Sequence, residues 1–233
     1  MKVFKGMLTL LVVLLLSSSA LASLTVIGTA TYAGSNYKLI WDDNNNGNSV
    51  IWLDYTNTMA TWSTQTAWAA GLHSLLTYHI DAPYSVTWDG DWRLPSTVDG
   101  EHGWGVDGTT TVGYNITTSE MGHLFYEEMG NLGYYDTSGN YPQPGWGLQN
   151  TGDFDNLISS HYWSDTRYAD DSLNVWFFSM GSGEQLIYYE SNNYYGLAVR
   201  GGQVSAVPIP GAVWLLGSGL LGIVGLKRKL KNS

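Results

Sequence analysis

The 233 residues contain no cysteine, and this constrains the fold more than any other single feature. No disulfide framework, thiolate zinc site or cysteine nucleophile is available. Whatever structure forms must be held by packing alone. The means are present. Eleven Trp, 16 Tyr and 5 Phe are the opposite of the aromatic-poor composition of disordered chains. The segment from Ser23 to Pro210 is long enough to bury a sizeable core without covalent staples.

Charge is divided sharply along the chain. The formal net charge is −10, from 10 basic and 20 acidic side chains. Lys2, Lys5, Lys227, Arg228, Lys229 and Lys231 sit at the ends, while every acid lies between Asp42 and Glu190. The segment between the ends keeps four basic groups against its 20 acids, a net −16. Such a body repels phosphate backbones, so nucleic acid is excluded as a partner.

The two ends read as addresses. Lys2 and Lys5 form a positive n-region, Met7–Leu16 an apolar h-region, and Ala20-Leu21-Ala22 places small residues where signal peptidase needs them. Residues 1–22 are therefore expected to be a signal peptide cut after Ala22; an uncleaved anchor is the alternative. At the other end Val207-Pro208-Ile209-Pro210-Gly211 precedes an uncharged run to Leu226, then Lys227-Arg228-Lys229. An apolar helix followed by a basic cluster holds its tail in the cytoplasm. Residues 211–226 rise only about 24 Å as a helix, against a hydrocarbon core near 30 Å. That suits a temporary hold better than a durable anchor.

This arrangement, VPIPGAVWLLGSGLLGIVGLKRK, resembles the PEP-CTERM sorting signal of Gram-negative bacteria that make exopolysaccharide, in a V-P-x-P variant with Ile209 in the middle. The resemblance implies cleavage near Pro210-Gly211 by an exosortase and delivery to the cell surface or matrix. A plain C-terminal anchor is the alternative.

The body is dominated by strand patterns. Leu24–Tyr32 is rich in Thr, Val and Ile; Tyr37–Trp41 and Val50–Tyr55 flank a polar loop, Asp42–Ser49, as a hairpin. Helices are expected at Thr58–Gly71, with Gly71 as C-cap, and at Ser119–Asn131, with Ser119 as N-cap. Asp89–Tyr114 and Tyr134–Asn156 read as loops. Asn174–Ser179, Gln185–Tyr189 and Tyr194–Arg200 form an antiparallel meander, and Gly201–Val207 a linker. The fold class expected is α+β.

Trp52-Leu53-Asp54-Tyr55, Trp92-Arg93-Leu94-Pro95, the helix start Ser119-Glu120, Tyr162-Trp163-Ser164 and Ala198-Val199-Arg200 occur in this order. Together they resemble the Lcl C-terminal domain family, an exported bacterial domain, over about Trp41–Gly202. The resemblance implies a C-type-lectin-like fold of antiparallel strands, two helices and long loops. With the readings of the two ends, the chain is expected to divide into a signal peptide 1–22, a globular domain 23–203 and a sorting signal 204–233 with a transmembrane helix 211–226. The resemblance also implies adhesin-type binding of sulfated polysaccharide. The chain departs from the pattern by about twenty extra residues between Arg-Leu-Pro and the next helix. Its acidic body points instead to neutral sugars or cations.

Candidate chemistry is sparse. Asp42, Asn44, Asn46 and Gly47 copy the start of a calcium loop, but Leu53 stands where a bidentate Glu belongs. The segment is either a Ca²⁺ site or a polar hairpin turn. Arg93, Arg167 and Arg200 are the only arginines of the body, expected to tie loops to the sheet through carboxylates. The five histidines show no ligand spacing, and no nucleophile elbow or phosphate loop is present. Trp104 and Trp146 lie in Gly-rich loops, where a large ring either closes the core or stacks on a sugar. The expectation is a non-enzymatic exported surface or matrix protein that binds carbohydrate. A structural surface protein and a carbohydrate-active enzyme are the alternatives.

Overall fold

Runs rich in Thr, Val, Ile and rings form strands here because branched and aromatic side chains pack well on a pleated surface. The computed structural model describes residues 24–100 and 102–206. The expected signal peptide and the sorting signal from Val207 onward lie outside the described residues. β1 (Leu24–Tyr32), β2 (Ser35–Asn45) and β3 (Asn48–Ala60) make an antiparallel meander. The β2–β3 turn is only Asn46 (φ +51°) and Gly47 (φ +83°). Both are in the left-handed region that a type I′ hairpin turn requires, and Asn-Gly meets it at least cost. The polar loop expected at Asp42–Ser49 is thus mostly strand. A bulge between Asp42 and Asn45 interrupts the register, and both side chains are fully buried.

Helix α1 is Trp62–Leu75 rather than Thr58–Gly71. β3 claims the earlier residues, since Asn57 and Ala60 pair with the last strand. Gly71 is carried inside the helix instead of capping it, at about 1 kcal/mol relative to Ala, and Leu72 beyond it is fully buried. The next two strands, β4 (Thr77–Ile80) and β5 (Tyr84–Arg93), were not expected. The Asp89-Gly90-Asp91 run looks like a loop but sits at an irregularity of the β5 ladder. β6 (Trp104–Gly105) and β7 (Val112–Gly113) are short pieces within the expected loop.

Helix α2 (Glu120–His123) starts on Ser119, whose hydroxyl accepts from Gly122 N at 3.0 Å. It continues as a π-turn, Leu124–Glu128, not as α-helix to Asn131. β8 (His161–Arg167), β9 (Asn174–Ser179), β10 (Gln185–Tyr189) and β11 (Tyr194–Ala206) complete the described residues. The expected meander holds only for its first pair: β10 pairs with β9 and β7, whereas β11 leaves it to pair with β3, β5 and β8, where its apolar residues are buried in the middle of the sheet. The linker expected at Gly201–Val207 is largely strand. Its residues pair with β5 as far as Ala206↔Tyr84, so the globular unit extends beyond 203.

All eleven strands join one sheet in the order β4-β1-β2-β3-β11-β8-β9-β10-β7-β6, with β5 also on β11. The sheet is mixed, not purely antiparallel: β8 meets β11 parallel at Tyr162↔Tyr195, and β6 runs parallel to β7. With two short helices, the class is α+β and mostly β. The central strands are buried on both faces. Ile40, Val50, Trp52, Leu197 and Val199 pack with Met121, Leu124 and Phe125 on one side. Leu39, Ile51, Leu53 and Ala198 pack with Leu72 on the other. This is why these strands read as continuous apolar runs without clean alternation.

Aromatic packing takes the place of disulfides. Trp52, Trp92, Trp163 and Trp176 are among the largest fully buried side chains. Each indole N–H finds an acceptor: Asp42 Oδ2, Tyr78 Oη, the Ala60 carbonyl and Asp99 Oδ1 respectively. A buried indole without one forfeits about 1–3 kcal/mol.

Candidate functional site

The motif residues quoted from the sequence turn out to be framework. Arg93 donates from Nη1 to Glu120 Oε2 and from Nη2 to Oε1, both at 2.7 Å, and Ser96 N donates to the same Oε2 at 2.6 Å. Burial leaves the Glu120 side chain 6% exposed, so this fork ties the end of β5 to the start of α2 with charge-assisted bonds. It raises the Arg93 pKa further. Leu94 and Trp163 share one core cluster, and the Pro95 carbonyl accepts from Asp165 N. Arg200 donates from Nε to the Gly90 carbonyl and stacks 4.8 Å from the centre of Trp88. Arg167 likewise covers Trp62 and pairs with Glu190. A polar cleft of ≈ 340 Å³ opens beside Arg93 and Glu120, lined also by Asp89 and Gln203.

The calcium-loop residues are not brought together. Asp42 is fully buried, while Asn44 and Asn46 are exposed, and the Asn46 amide donates to the Ser119 carbonyl at 3.3 Å. A hairpin with a two-residue turn cannot wrap a cation that needs six to eight oxygens.

Trp104 and Trp146 are brought together. They are 54% and 38% exposed, so neither closes the core. A continuous run of rings links them: Trp104–Tyr135 at 5.4 Å, Tyr135–Tyr134 at 5.4 Å, and Tyr134–Trp146 at 4.9 Å between centroids. Tyr141, 60% exposed, packs on Tyr135 at 4.5 Å, and Tyr114 backs the group at 5.0 Å from Tyr135. Burial, with Glu184 nearby, pushes the Tyr114 hydroxyl up to about 12. Tyr135 lies on the same loop run as Tyr134, and sequence reading passed over both. The Tyr134-Tyr135 doublet in a polar loop was the available signal.

The patch is held by hydrogen bonds from side chains and backbone to loop backbone groups, not by the rings alone. Asn115 Nδ2 donates to the carbonyls of Val106 (2.6 Å) and Tyr135 (3.0 Å), tying two loops together. Gln143 Nε2 donates to the Gly133 carbonyl at 2.6 Å, Tyr134 N to the Ser182 carbonyl, and Gly147 N to the Leu132 carbonyl. Tyr126 Oη accepts from Asn115 N and donates to the Gly183 carbonyl. Gly113 lets β7 approach β6 closely: a Cβ there would lie 1.8 Å from the Gly105 carbonyl oxygen.

Asp107 and Asp136 neighbour the patch in sequence. Each accepts hydrogen bonds within its own turn, Asp107 from Thr109 and Asp136 from Ser138 and Asn140, which holds both below the usual carboxylate range. Glu184, whose charge reaches Tyr114 and Tyr135, is instead raised by burial; a glycosidase needs such a raised acid together with a second, ionised carboxylate facing it across the scissile bond. The chain matches no protein-family model, no curated protein and no solved structure.

Proposed function

We propose that this is an exported, non-enzymatic module of the cell surface or biofilm matrix that binds neutral carbohydrate on the Trp104–Tyr135–Tyr134–Tyr141–Trp146 surface. The observation that carries the reading is the contiguity of three exposed rings, Trp104, Tyr141 and Trp146, through half-buried Tyr134 and Tyr135 on a hydrogen-bonded loop framework. Sugar rings present apolar C–H faces that stack on Trp and Tyr. A pre-ordered surface loses little entropy on binding. The net −16 of the segment between the basic ends favours uncharged chains over sulfated ones.

The Lcl-like motif order and the α+β architecture support a C-type-lectin-like fold. The n-region, h-region and Ala20-Leu21-Ala22 of the N-terminus support export and cleavage by signal peptidase, and the V-P-x-P ending supports sorting by an exosortase after a transient stay in the inner membrane. Retention of the detergent-solubilised full chain is measured on the producing cell's own exopolysaccharide, on an immobilised neutral glucan and on heparin. Retention on the first two and not on heparin is the expected pattern. Retention on none of them removes the binding role and leaves a surface protein that acts by assembly.

A further inference from the structure

We infer that Asp42, His123 and Glu128 bind one first-row divalent transition ion, with Zn²⁺ and Mn²⁺ as the best-matched species. One nitrogen and one carboxylate oxygen from each of the others lie within 4.8 Å of one another. Three successive elements deliver them: the bulged end of β2 supplies Asp42, the last residue of α2 is His123, and the last residue of the π-turn is Glu128. The π-turn is what makes the pair possible. Residues five apart sit about 140° apart around an α-helix, but the wider π-turn brings them onto one face. His123 and Glu128 are therefore placed side by side.

Three observations point to a cation. The His123 Nε2–Glu128 Oε1 separation is 3.3 Å. That is long for a charge-assisted hydrogen bond, but two donors sharing a tetrahedral ion at 2.0–2.1 Å stand about 3.3 Å apart. The second Glu128 oxygen, Oε2, is buried without a partner on a side chain that is 0% exposed. Among the described residues no Lys or Arg pairs with Asp42 or Glu128, so two carboxylates share one imidazole in a buried place. A divalent ion supplies the missing charge and the missing partner.

The surroundings orient the donors. Asp42 Oδ2 accepts from Asn45 Nδ2 at 2.8 Å and from Trp52 Nε1 at 3.3 Å, the kind of support that fixes a ligating carboxylate. Asn45 Oδ1 is also buried and unpartnered, a fourth donor on the side chain hydrogen-bonded to Asp42. His123 retains 13% exposure, which leaves a route for the ion. A mixed imidazole–carboxylate set with three or four donors suits Zn²⁺ or Mn²⁺ and falls short of the oxygen number of Ca²⁺. Such an ion would clamp the β2–β3 hairpin to the helix. It is independent of the aromatic patch.

The test is calorimetry on the chelator-stripped full chain in detergent, titrated separately with ZnCl₂, MnCl₂ and CaCl₂. The expected result is one Zn²⁺ per chain, with Mn²⁺ weaker and Ca²⁺ without heat. Glu128→Gln and His123→Gln, each checked for fold by circular dichroism, should lose at least about tenfold in Zn²⁺ affinity. Co²⁺ added to the stripped wild type should give the intense visible bands of a tetrahedral N/O site, which needs no variant to fold. Failure of the folded wild type to bind either Zn²⁺ or Mn²⁺, Zn²⁺ affinity unchanged in the folded variants, or Co²⁺ bands of the hydrated ion only would each overturn the site.

Discussion

Arg93→Ala is the most informative single perturbation of the framework. The Glu120 carboxylate is nearly buried and has three donors: two guanidinium N–H groups and Ser96 N. Truncation of Arg93 leaves a buried anion with one of them. Breaking a buried pair in this way costs about 3–5 kcal/mol. Arg93 is itself 35% exposed, so water partly compensates, and the lower end, about 3 kcal/mol, applies. For a domain of this size each kcal/mol shifts melting by about 2–4 °C, giving a fall of about 6–12 °C. Arg93→Lys should fall between, because it keeps the charge and loses the fork. The double variant Arg93→Met/Glu120→Gln should be less destabilised than the sum of its singles by about 2 kcal/mol. Thermal unfolding followed by circular dichroism reads all of these. A melting point for Arg93→Ala within about 2 °C of wild type, combined with lost glycan retention, would refute the reasoning and make Arg93 a ligand contact beside its polar cleft.

Three other outcomes are expected. Gly113→Ala should lower melting by at least about 4 °C, because its Cβ cannot coexist with the Gly105 carbonyl and its φ is +123°; an unchanged melt would mean that β6 and β7 do not pair. Asp99→Ala should cost about 1–3 kcal/mol by stripping the acceptor of buried Trp176 and of Ala169 N, read from urea midpoints. The third concerns pH. Burial raises the carboxyl pKa of Asp54, Asp165 and Glu184 in the folded state. A raised carboxyl favours folding while protonated, so its contribution is present below the ordinary value near 4 and is lost as pH rises through the folded value. Melting should therefore be higher on the mildly acidic side than at neutrality; a melt that rises steadily from pH 5 to 8 would contradict this.

Legibility in the sequence varied with how local the cause was. The β2–β3 hairpin, the Ser119 cap and the β9–β10 hairpin were readable, because each is set by neighbouring residues. β4, β5 and the last six residues of β11, Gly201–Ala206, were not. Asp89-Gly90-Asp91 and Gly201-Gly202 carry loop composition, and only the pairing of two distant segments makes them strand. The role of Arg93 was readable as a guanidinium tie, but its partner Glu120 was not, being 27 residues away across the inserted loops. At the patch, Trp104 and Trp146 stood out as rings without local reason, while the tyrosines joining them are visible only when two loops fold onto each other. The Asp42–His123–Glu128 cluster was hidden because spacing of five matches no helical face until a π-turn intervenes.

The most direct measurement compares retention of wild type and Trp104→Ala/Trp146→Ala full chains on the producing cell's exopolysaccharide. Neither ring belongs to the buried core, being 54% and 38% exposed, so the double variant should keep its fold. Each lost stacking face is worth about 1 kcal/mol, roughly fivefold in affinity, or about 25-fold together. Retention that falls by that order while the melting point holds supports a sugar-binding aromatic surface. Equal retention by the folded double variant would contradict it.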